Sequence, residues 1–282
     1  MVWISLVSGL DTKKLHNFGN NLKFYNFLNE NRSQSITKEQ FDKLLQQNCS
    51  NIVKQYSNSN SFIFRGMRKD EPYYFVDPTK SVRVSKSVPN HYTIMFDEIL
   101  PSWKNMPKRS KSIIASSLYA PGGSQYGTHY KVYPYNDSKI GVCPNYDIWV
   151  SFEKHLKFSL DNFLVVLDNI SLAYKIELKE TKQSILSFMK KVDEVDVNSN
   201  RISSTTKSFL QRYKESNKTF FNYLNDIFDP NKNGFDVIKP GEKFKPYREI
   251  FIEGRCLLET TIKQNTPTEK EVKDAISTIL GK

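Results

Sequence analysis

The hydrophobic and polar positions of this chain divide it into helical and strand-like stretches that follow one another. Before residue 60, Thr37 and Gln40 form a helix-capping sequence, and apolar residues follow it at helical spacing. From residue 62 onward, short β-prone runs are separated by proline and glycine turns. The predicted strands are residues 62–64, 73–76, 82–84, 92–96, 112–115, 130–133 and 140–143.

The second half of the chain returns to the helical period and then to strands. Three amphipathic faces follow one another from residue 148 to about residue 228, and they require burial on each other or on a sheet. Strand character returns at residues 235–238 and 248–258. Thr266, Pro267 and Glu269 predict a last helix, which ends at Gly281.

This order of elements predicts an α+β fold with a mixed sheet and a helical insertion. At 282 residues the chain is long enough to bury a sizeable core. We divide it into a helical lead-in (1–60), the first part of the sheet core (61–150), the helical insertion (151–228), and the returning strands with the C-terminal helix (229–282).

The charge of the chain favours anionic partners. The formal net charge is +11 and the sequence pI is about 9.3, which attracts nucleic acids, acidic proteins and dinucleotides over long range. The basic residues are spread along the sequence, so a surface of dispersed lysines accounts for the charge as well as a nucleic-acid face does.

The cysteines and the apolar stretches indicate the cellular compartment in which we expect the protein. Cys49, Cys143 and Cys256 are an odd, widely spaced set, which predicts neither a disulfide framework nor a zinc site and indicates a reducing environment. The apolar start of the chain is short and lacks a basic region, so we expect no signal peptide. No run reaches membrane-spanning length, and we expect no membrane partner.

Three short segments each place one polar side chain among apolar neighbours in a predicted strand. They are residues 62–66 with Arg65, residues 107–114 with Ser110 and Ser112, and residues 247–252 with Glu249. A guanidinium forks onto phosphate or ribose oxygens, and a carboxylate can polarise a ribose. Ser110 and Ser112 are expected to share a strand face, and we prefer Ser112 as the partner of Glu249 because Ile113 and Ile114 follow it into the core.

A second carboxylate competes with Glu249. Asp147 lies closer in sequence to the serine segment. We prefer Glu249 because Asp147 is expected to cap a helix. Each of the polar residues also fits an ordinary role: a solvated arginine, an edge-strand serine or an exposed strand glutamate.

The combination resembles the Arg-Ser-Glu pattern of the ADP-ribosyltransferase fold. Arg65-Gly66, the serine-rich stretch from Ser112 to Ser117, and the later Glu249 stand in that family's order, and residues 65–147 also resemble uncharacterised proteins of large tailed phages. The resemblance implies a mono-ADP-ribosyltransferase that uses NAD as substrate. It also implies a host protein or nucleic acid as acceptor, in the host cytoplasm or packaged in a virion.

The resemblance also implies roles for single residues. Glu249 and Ser112 become the catalytic pair, and the residues that bind NAD are Arg65, Gly66, Ser110, Arg83, Tyr92 and Tyr126. In this set Tyr92 or Tyr126 would stack on nicotinamide, although a buried core position is the ordinary role of a tyrosine. Arginine-modifying members carry Glu or Gln two residues before the catalytic glutamate; Tyr247 stands there, which disfavours arginine as acceptor.

Two other functions remain open from the sequence. A viral structural or packaging protein would use the positive charge to bind nucleic acid or acidic partners without catalysis, and a nucleotide-binding regulator would use the site without turnover. Metal sites are not predicted, because the histidines are isolated. Residues 229–234 mimic a calcium loop, but Pro240 stands where its bidentate glutamate belongs.

Overall fold

The computed structural model of the protein describes residues 33–59, 61–80, 82–84, 89–117 and 127–261. Within these ranges nine strands form one sheet, and every neighbouring pair is antiparallel. The strands are β1 (Ser33–Ser35), β2 (Phe64–Met67), β3 (Tyr73–Val76), β4 (Ser112–Ser116), β5 (Thr128–Pro134), β6 (Lys139–Val142), β7 (Asp236–Ile238), β8 (Glu249–Glu253) and β9 (Cys256–Thr260). Their order across the sheet is β1-β3-β9-β5-β2-β4-β8-β6-β7.

The described helices stand in three groups along the chain: between β1 and β2, between β3 and β4, and between β6 and β7. They are α1 (Lys38–Asn48), α2 (Ser50–Asn58), α3 (His91–Ile94), α4 (Glu153–Leu156), α5 (Leu160–Tyr174), α6 (Lys182–Val192), α7 (Ser204–Glu215), α8 (Phe220–Ile227) and α9 (Pro230–Asn233). Helices α4 to α9 stand between β6 and β7, which are paired strands of the sheet. The α+β class predicted from the order of elements is thereby confirmed, whereas the predicted mixed sheet is wrong, because every pair of neighbouring described strands is antiparallel.

The predicted start of α1 is confirmed, and one predicted strand is divided in two. The predicted capping box is present: Gln40 N donates to Thr37 Oγ1 at 3.2 Å, and Thr37 N donates to Gln40 Oε1 at 3.0 Å. The predicted strand at 248–258 is two strands, because Gly254 turns the chain between β8 and β9 with a φ of 135°. A Cβ on Gly254 would lie 2.5 Å from Ser138 Oγ, so the turn needs glycine.

The predicted strand at 92–96 is wrong. The chain forms α3 there and continues into a π-helix at Met95–Ile99. Tyr92, Met95, Phe96 and Ile99 are all buried, and their i, i+3, i+4, i+7 spacing is that of a helix. Residues 82–84, also predicted as a strand, lie outside the sheet; Arg83 N donates instead to Ser110 O at 2.6 Å.

Strand β8 separates two hydrophobic cores. Ile250 and Ile252 belong to the core that the sheet forms with α1 and α2. Phe251 points the other way, into the aromatic core formed by the helices between β6 and β7 and by the α3 region. Because side chains alternate along a strand, Glu249 and Glu253 share the face of Phe251. The sheet therefore presents Glu249 on the side of the helices.

Several predictions concern residues outside the described ranges. They are the first part of the helical lead-in, the C-terminal helix from Thr266 and the stacking residue Tyr126. In the ranges that are described, none of the helices has both the length and the apolar character needed to cross a bilayer.

Candidate functional site

The three segments that carry the predicted arginine, serine and glutamate lie on consecutive strands of the sheet. Strand β4 stands between β2 and β8. Arg65 on β2 donates through Nη1 to Ile114 O of β4 at 2.6 Å. On the other side of β4, Glu249 stands opposite Ser116 in the strand register. Arg65 and Glu249 thus flank the same strand, but alternation along β2 puts Arg65 on the opposite face of the sheet from the row of Phe64, Ser116 and Glu249. Gly66 lies beside Arg65 and is paired with His129 of β5.

The serine that stands beside Glu249 is Ser116, so the predicted hydrogen bond from Ser112 to Glu249 is wrong. Because β4 and β8 are antiparallel, Ser112 lies opposite Glu253, at the other end of β8. Four residues at about 3.3 Å each put Ser112 about 13 Å from the Glu249 row. The Ser112 hydroxyl is buried and donates to Lys108 O at 2.7 Å. Its role is to close the turn before β4.

Ser110 lies on that turn and not on a strand. Residues Arg109–Lys111 form a 3-10 helix, and Asp97 of the π-helix accepts hydrogen bonds from Arg109 N at 2.9 Å and Ser110 N at 2.7 Å. The prediction that Ser110 and Ser112 share a strand face is therefore wrong. The carboxylate of Asp97 holds this turn in place, and the turn positions the side chain of Arg109.

Arg109 is the partner of Glu249. Its Nη1 lies 2.5 Å from Glu249 Oε1, and the exposed fractions of the two side chains are 3% and 13%. Its guanidinium also stacks 5.3 Å above the Phe251 ring. Burial by itself lowers the pKa of Arg109, but the neighbouring Glu249 outweighs it, and the net pKa is raised. Sequence reasoning missed Arg109 because nothing local separates it from Lys108 and Lys111.

The remaining contacts of Glu249 come from the segment after β6. Ile148 N donates to Glu249 Oε2 at 3.4 Å, and Cys143 Sγ lies 3.9 Å from Oε1. Burial, followed by the charge of Glu249, raises the pKa of the Cys143 thiol well above its usual value. One carboxylate oxygen is therefore engaged by Arg109, and Oε2 has only a long hydrogen bond.

Asp147, the rival carboxylate, has a structural role, as predicted. It caps the 3-10 helix Ile148–Val150 by accepting from Trp149 N at 3.0 Å. Burial raises its pKa most, the hydrogen bond from Trp149 lowers it, and the charge of Glu249 raises it again. Of the two acids, Glu249 is the one that a strand holds in place.

Tyr92 and Arg83 form a second polar pair next to Arg109. Tyr92 is 1% exposed and its ring packs against Phe96 and Trp149, so the predicted stacking of Tyr92 on a ligand is wrong and its ordinary core position is what the fold uses. Its hydroxyl is hydrogen-bonded to the Arg83 side chain. Burial and the like charge of Arg109 lower the pKa of Arg83.

A cavity of about 670 Å³ lies against Arg83. Its walls come from the π-helix, the turn that carries Ser110, the segment at 82–84 and the start of α6. The polar side chains lining it are Arg83, Asn90, Thr93, Asp97, Glu98, Lys108, Ser110, Lys111, Glu180 and Lys182. The volume is in the range of cavities that hold small ligands and cofactors. Two predicted binding residues, Arg83 and Ser110, line this cavity.

Neither a cluster of metal ligands among the described residues nor a similar known protein indicates the class of this site. Within the described ranges, no cluster of three or more His, Cys, Asp or Glu side chains could hold a metal ion. No protein-family model, curated protein or solved structure matches this chain. The class of site therefore has to be argued from the geometry of Glu249, Arg65 and their neighbours.

Proposed function

We propose that the protein is a mono-ADP-ribosyltransferase of the Arg-Ser-Glu type, with NAD as its substrate. One observation supports this above the others: the strands carrying Arg65, the serine-rich segment and Glu249 are direct neighbours, although about 180 residues separate Arg65 from Glu249 in sequence. The family pattern requires those three segments to meet, and nothing in their local sequence would bring them together.

In this proposal Glu249 is the catalytic carboxylate. Breaking the bond between nicotinamide and ribose builds positive charge on the ribosyl carbon, which a fixed carboxylate stabilises. Arg109 holds Oε1, so Oε2 is the oxygen that accepts a hydrogen bond from a ribose hydroxyl. Ser116, directly across from Glu249, takes the positioning role predicted for Ser112.

Arg65 is the proposed anchor for the dinucleotide. Its hydrogen bond to Ile114 O fixes the guanidinium over the strand that also carries Ser116. A guanidinium so positioned suits a phosphate or a ribose oxygen. Because side chains alternate along a strand, the register puts Arg65 on the opposite face of the sheet from the row of Phe64, Ser116 and Glu249, so the dinucleotide would have to extend past the β2–β4 junction to reach it.

The acceptor is proposed to be a host protein or nucleic acid, with the enzyme acting in an infected cell or delivered by a virion. The net charge of +11 favours an acidic acceptor. Tyr247, two residues before Glu249, is 61% exposed and has a φ of 58°. Because its backbone is strained and its ring is exposed beside the proposed catalytic carboxylate, Tyr247 is suited to contact the acceptor. Tyr247 lacks the carboxyl or amide group that arginine-modifying ADP-ribosyltransferases have at this position.

The test is transfer of label from adenylate-labelled NAD to bacterial lysate. We expect wild type to label an acceptor, and Glu249→Gln to lose at least about 100-fold of that activity. Glutamine is used because alanine would leave Arg109 buried without a partner. The matched control is Glu253→Gln, on the same strand face, which should keep its activity.

The melting temperatures of both variants separate misfolding from lost chemistry. The proposal fails if folded wild type neither labels an acceptor nor hydrolyses NAD. It fails equally if folded Glu249→Gln is as active as wild type.

The charge supports one alternative, a non-enzymatic phage structural or packaging protein that binds nucleic acid. Such binding would weaken steeply with salt, because it releases counterions. Tight, salt-sensitive DNA binding by a protein that does not consume NAD would favour this alternative over the transferase.

A further inference from the structure

Arg83 has an unusual environment for a partly buried guanidinium. In the part of the chain that the structure describes, no carboxylate lies within ion-pair distance of it. Its hydrogen-bond partner is the hydroxyl of Tyr92, and the like charge of Arg109 lowers its pKa more than the charge of Glu249 raises it. A desolvated cation without a counter-ion is costly, so proteins rarely keep one without a use.

The sequence next to Arg83 offers no counter-ion either. Residues 81 and 85–88, which flank the described segment, are Ser81 and Ser-Lys-Ser-Val, and none of them is acidic. Glu249 is already paired with Arg109 at 2.5 Å. Among the described residues, the charge of Arg83 is therefore not balanced by a carboxylate within ion-pair distance.

The cavity beside Arg83 has further groups that suit an anion. Lys108, Lys111 and Lys182 line it. Thr93 is 4% exposed and lines the same cavity, and its Oγ1 makes no hydrogen bond to any described residue. A buried hydroxyl that lacks a partner inside the protein is a donor for a ligand.

Two of the three acidic groups in the cavity wall are already engaged. Both oxygens of Asp97 accept hydrogen bonds from backbone amides of the Arg109–Lys111 turn. Glu180 accepts from Asn90 Nδ2 at 3.2 Å. Glu98 is exposed and lies at the solvent side. The cavity wall thus carries four cationic side chains, Arg83 and three lysines, against three carboxylates, of which two are hydrogen-bonded to amide groups of the protein.

We propose that this cavity binds a phosphate-bearing ligand, with Arg83 as the main contact and Thr93 as a second donor. The planar guanidinium offers paired donors to phosphate oxygens, and the bound charge offsets the repulsion between Arg83 and Arg109. The inference does not depend on the transferase proposal. The phosphate could belong to the dinucleotide itself or to a separate phosphorylated ligand, and the two sources are distinguishable.

The probe is inorganic pyrophosphate, titrated into the full chain by calorimetry at constant ionic strength. We expect saturable one-site binding. Arg83→Gln should weaken it by at least about tenfold, since it removes charge-assisted hydrogen bonds, and Arg83→Lys should recover part of the loss. Thr93→Val, which keeps the shape and removes the hydroxyl, should weaken binding by a smaller factor.

The matched control is Arg255→Gln, which removes an exposed arginine at the β8–β9 turn and should leave the affinity unchanged. No binding at millimolar pyrophosphate would overturn the proposal. An Arg83→Gln affinity equal to that of wild type, or an equal loss in Arg255→Gln, would overturn it as well.

A competition titration identifies the source of the phosphate. If NAD displaces pyrophosphate from Glu249→Gln, the site takes the phosphates of the dinucleotide. If NAD leaves pyrophosphate binding unchanged, the site takes a separate phosphorylated ligand. Either result supports the site at Arg83, whether or not the protein transfers ADP-ribose.

Discussion

Arg109 and Arg83 lie in adjacent regions of the molecule and differ in how their positive charges are balanced. Arg109 is buried against Glu249, which supplies a charge of opposite sign at 2.5 Å. Arg83, beside it, has a phenol as its hydrogen-bond partner and an open cavity in front of it. A buried ion pair is complete within the chain, whereas the partly buried Arg83 has no counter-ion among the described residues. Arg109 holds the Glu249 carboxylate in place, and the cavity beside Arg83 is the proposed anion site.

The largest expected effect is the loss of stability when Arg109 is removed, and the removal of Arg83 is the comparison. Arg109→Met leaves Glu249 buried without its counter-ion, and we expect a loss of about 3–5 kcal/mol in the free energy of unfolding. Arg83→Met removes a cation that has no counter-ion, so it should leave stability nearly unchanged or raise it. Urea denaturation of the two variants and wild type measures the difference.

A double variant sharpens this comparison. Arg109→Met combined with Glu249→Met replaces both partners with apolar groups, so it should recover most of the stability lost in Arg109→Met alone. If Arg83→Met proves as destabilising as Arg109→Met, the two arginines do not differ in how their charges are balanced.

A smaller effect concerns Cys143, the third group beside Glu249. Its raised pKa means that the folded protein keeps the thiol proton to a higher pH than the unfolded chain does, where the usual value is 9.0. The unfolded state therefore loses protons first, and the free energy of unfolding falls as the pH rises above about 9. Cys143→Ala should reduce this slope by about 1.4 kcal/mol per pH unit.

The measurement is urea denaturation of wild type and Cys143→Ala from pH 8 upward, before alkaline unfolding begins. Equal slopes in the two proteins would show that Cys143 does not keep its proton on folding. The absolute stability of the variant is not the readout, because removing the sulfur also leaves a small cavity.

The sequence predicts local features well where one short pattern decides them. Thr37 and Gln40 define a helix start, and the run at 73–76 becomes β3 with the predicted bounds. Strand character is predicted from residue 248, and β8 begins at Glu249. In each case the signal lies within a few residues.

Features that depend on distant partners could not be predicted in this way. The choice between Ser112 and Ser116 depends on the antiparallel register of β4 and β8, which no local pattern gives. Arg109 is distinguished from its basic neighbours by a turn that Asp97 fixes from another element. At residues 92–96 the sequence predicts a strand where the structure has a helix, because a short, mostly apolar stretch does not distinguish the helical period from strand alternation.

The measurement that tests the central claim most directly is nicotinamide release from NAD, followed by chromatography without any acceptor. The account predicts slow release by wild type and by Glu253→Gln, and a rate at least about 100-fold lower for Glu249→Gln when all three proteins melt at similar temperatures. Equal rates for the two glutamine variants would contradict the assignment of Glu249 as the catalytic carboxylate.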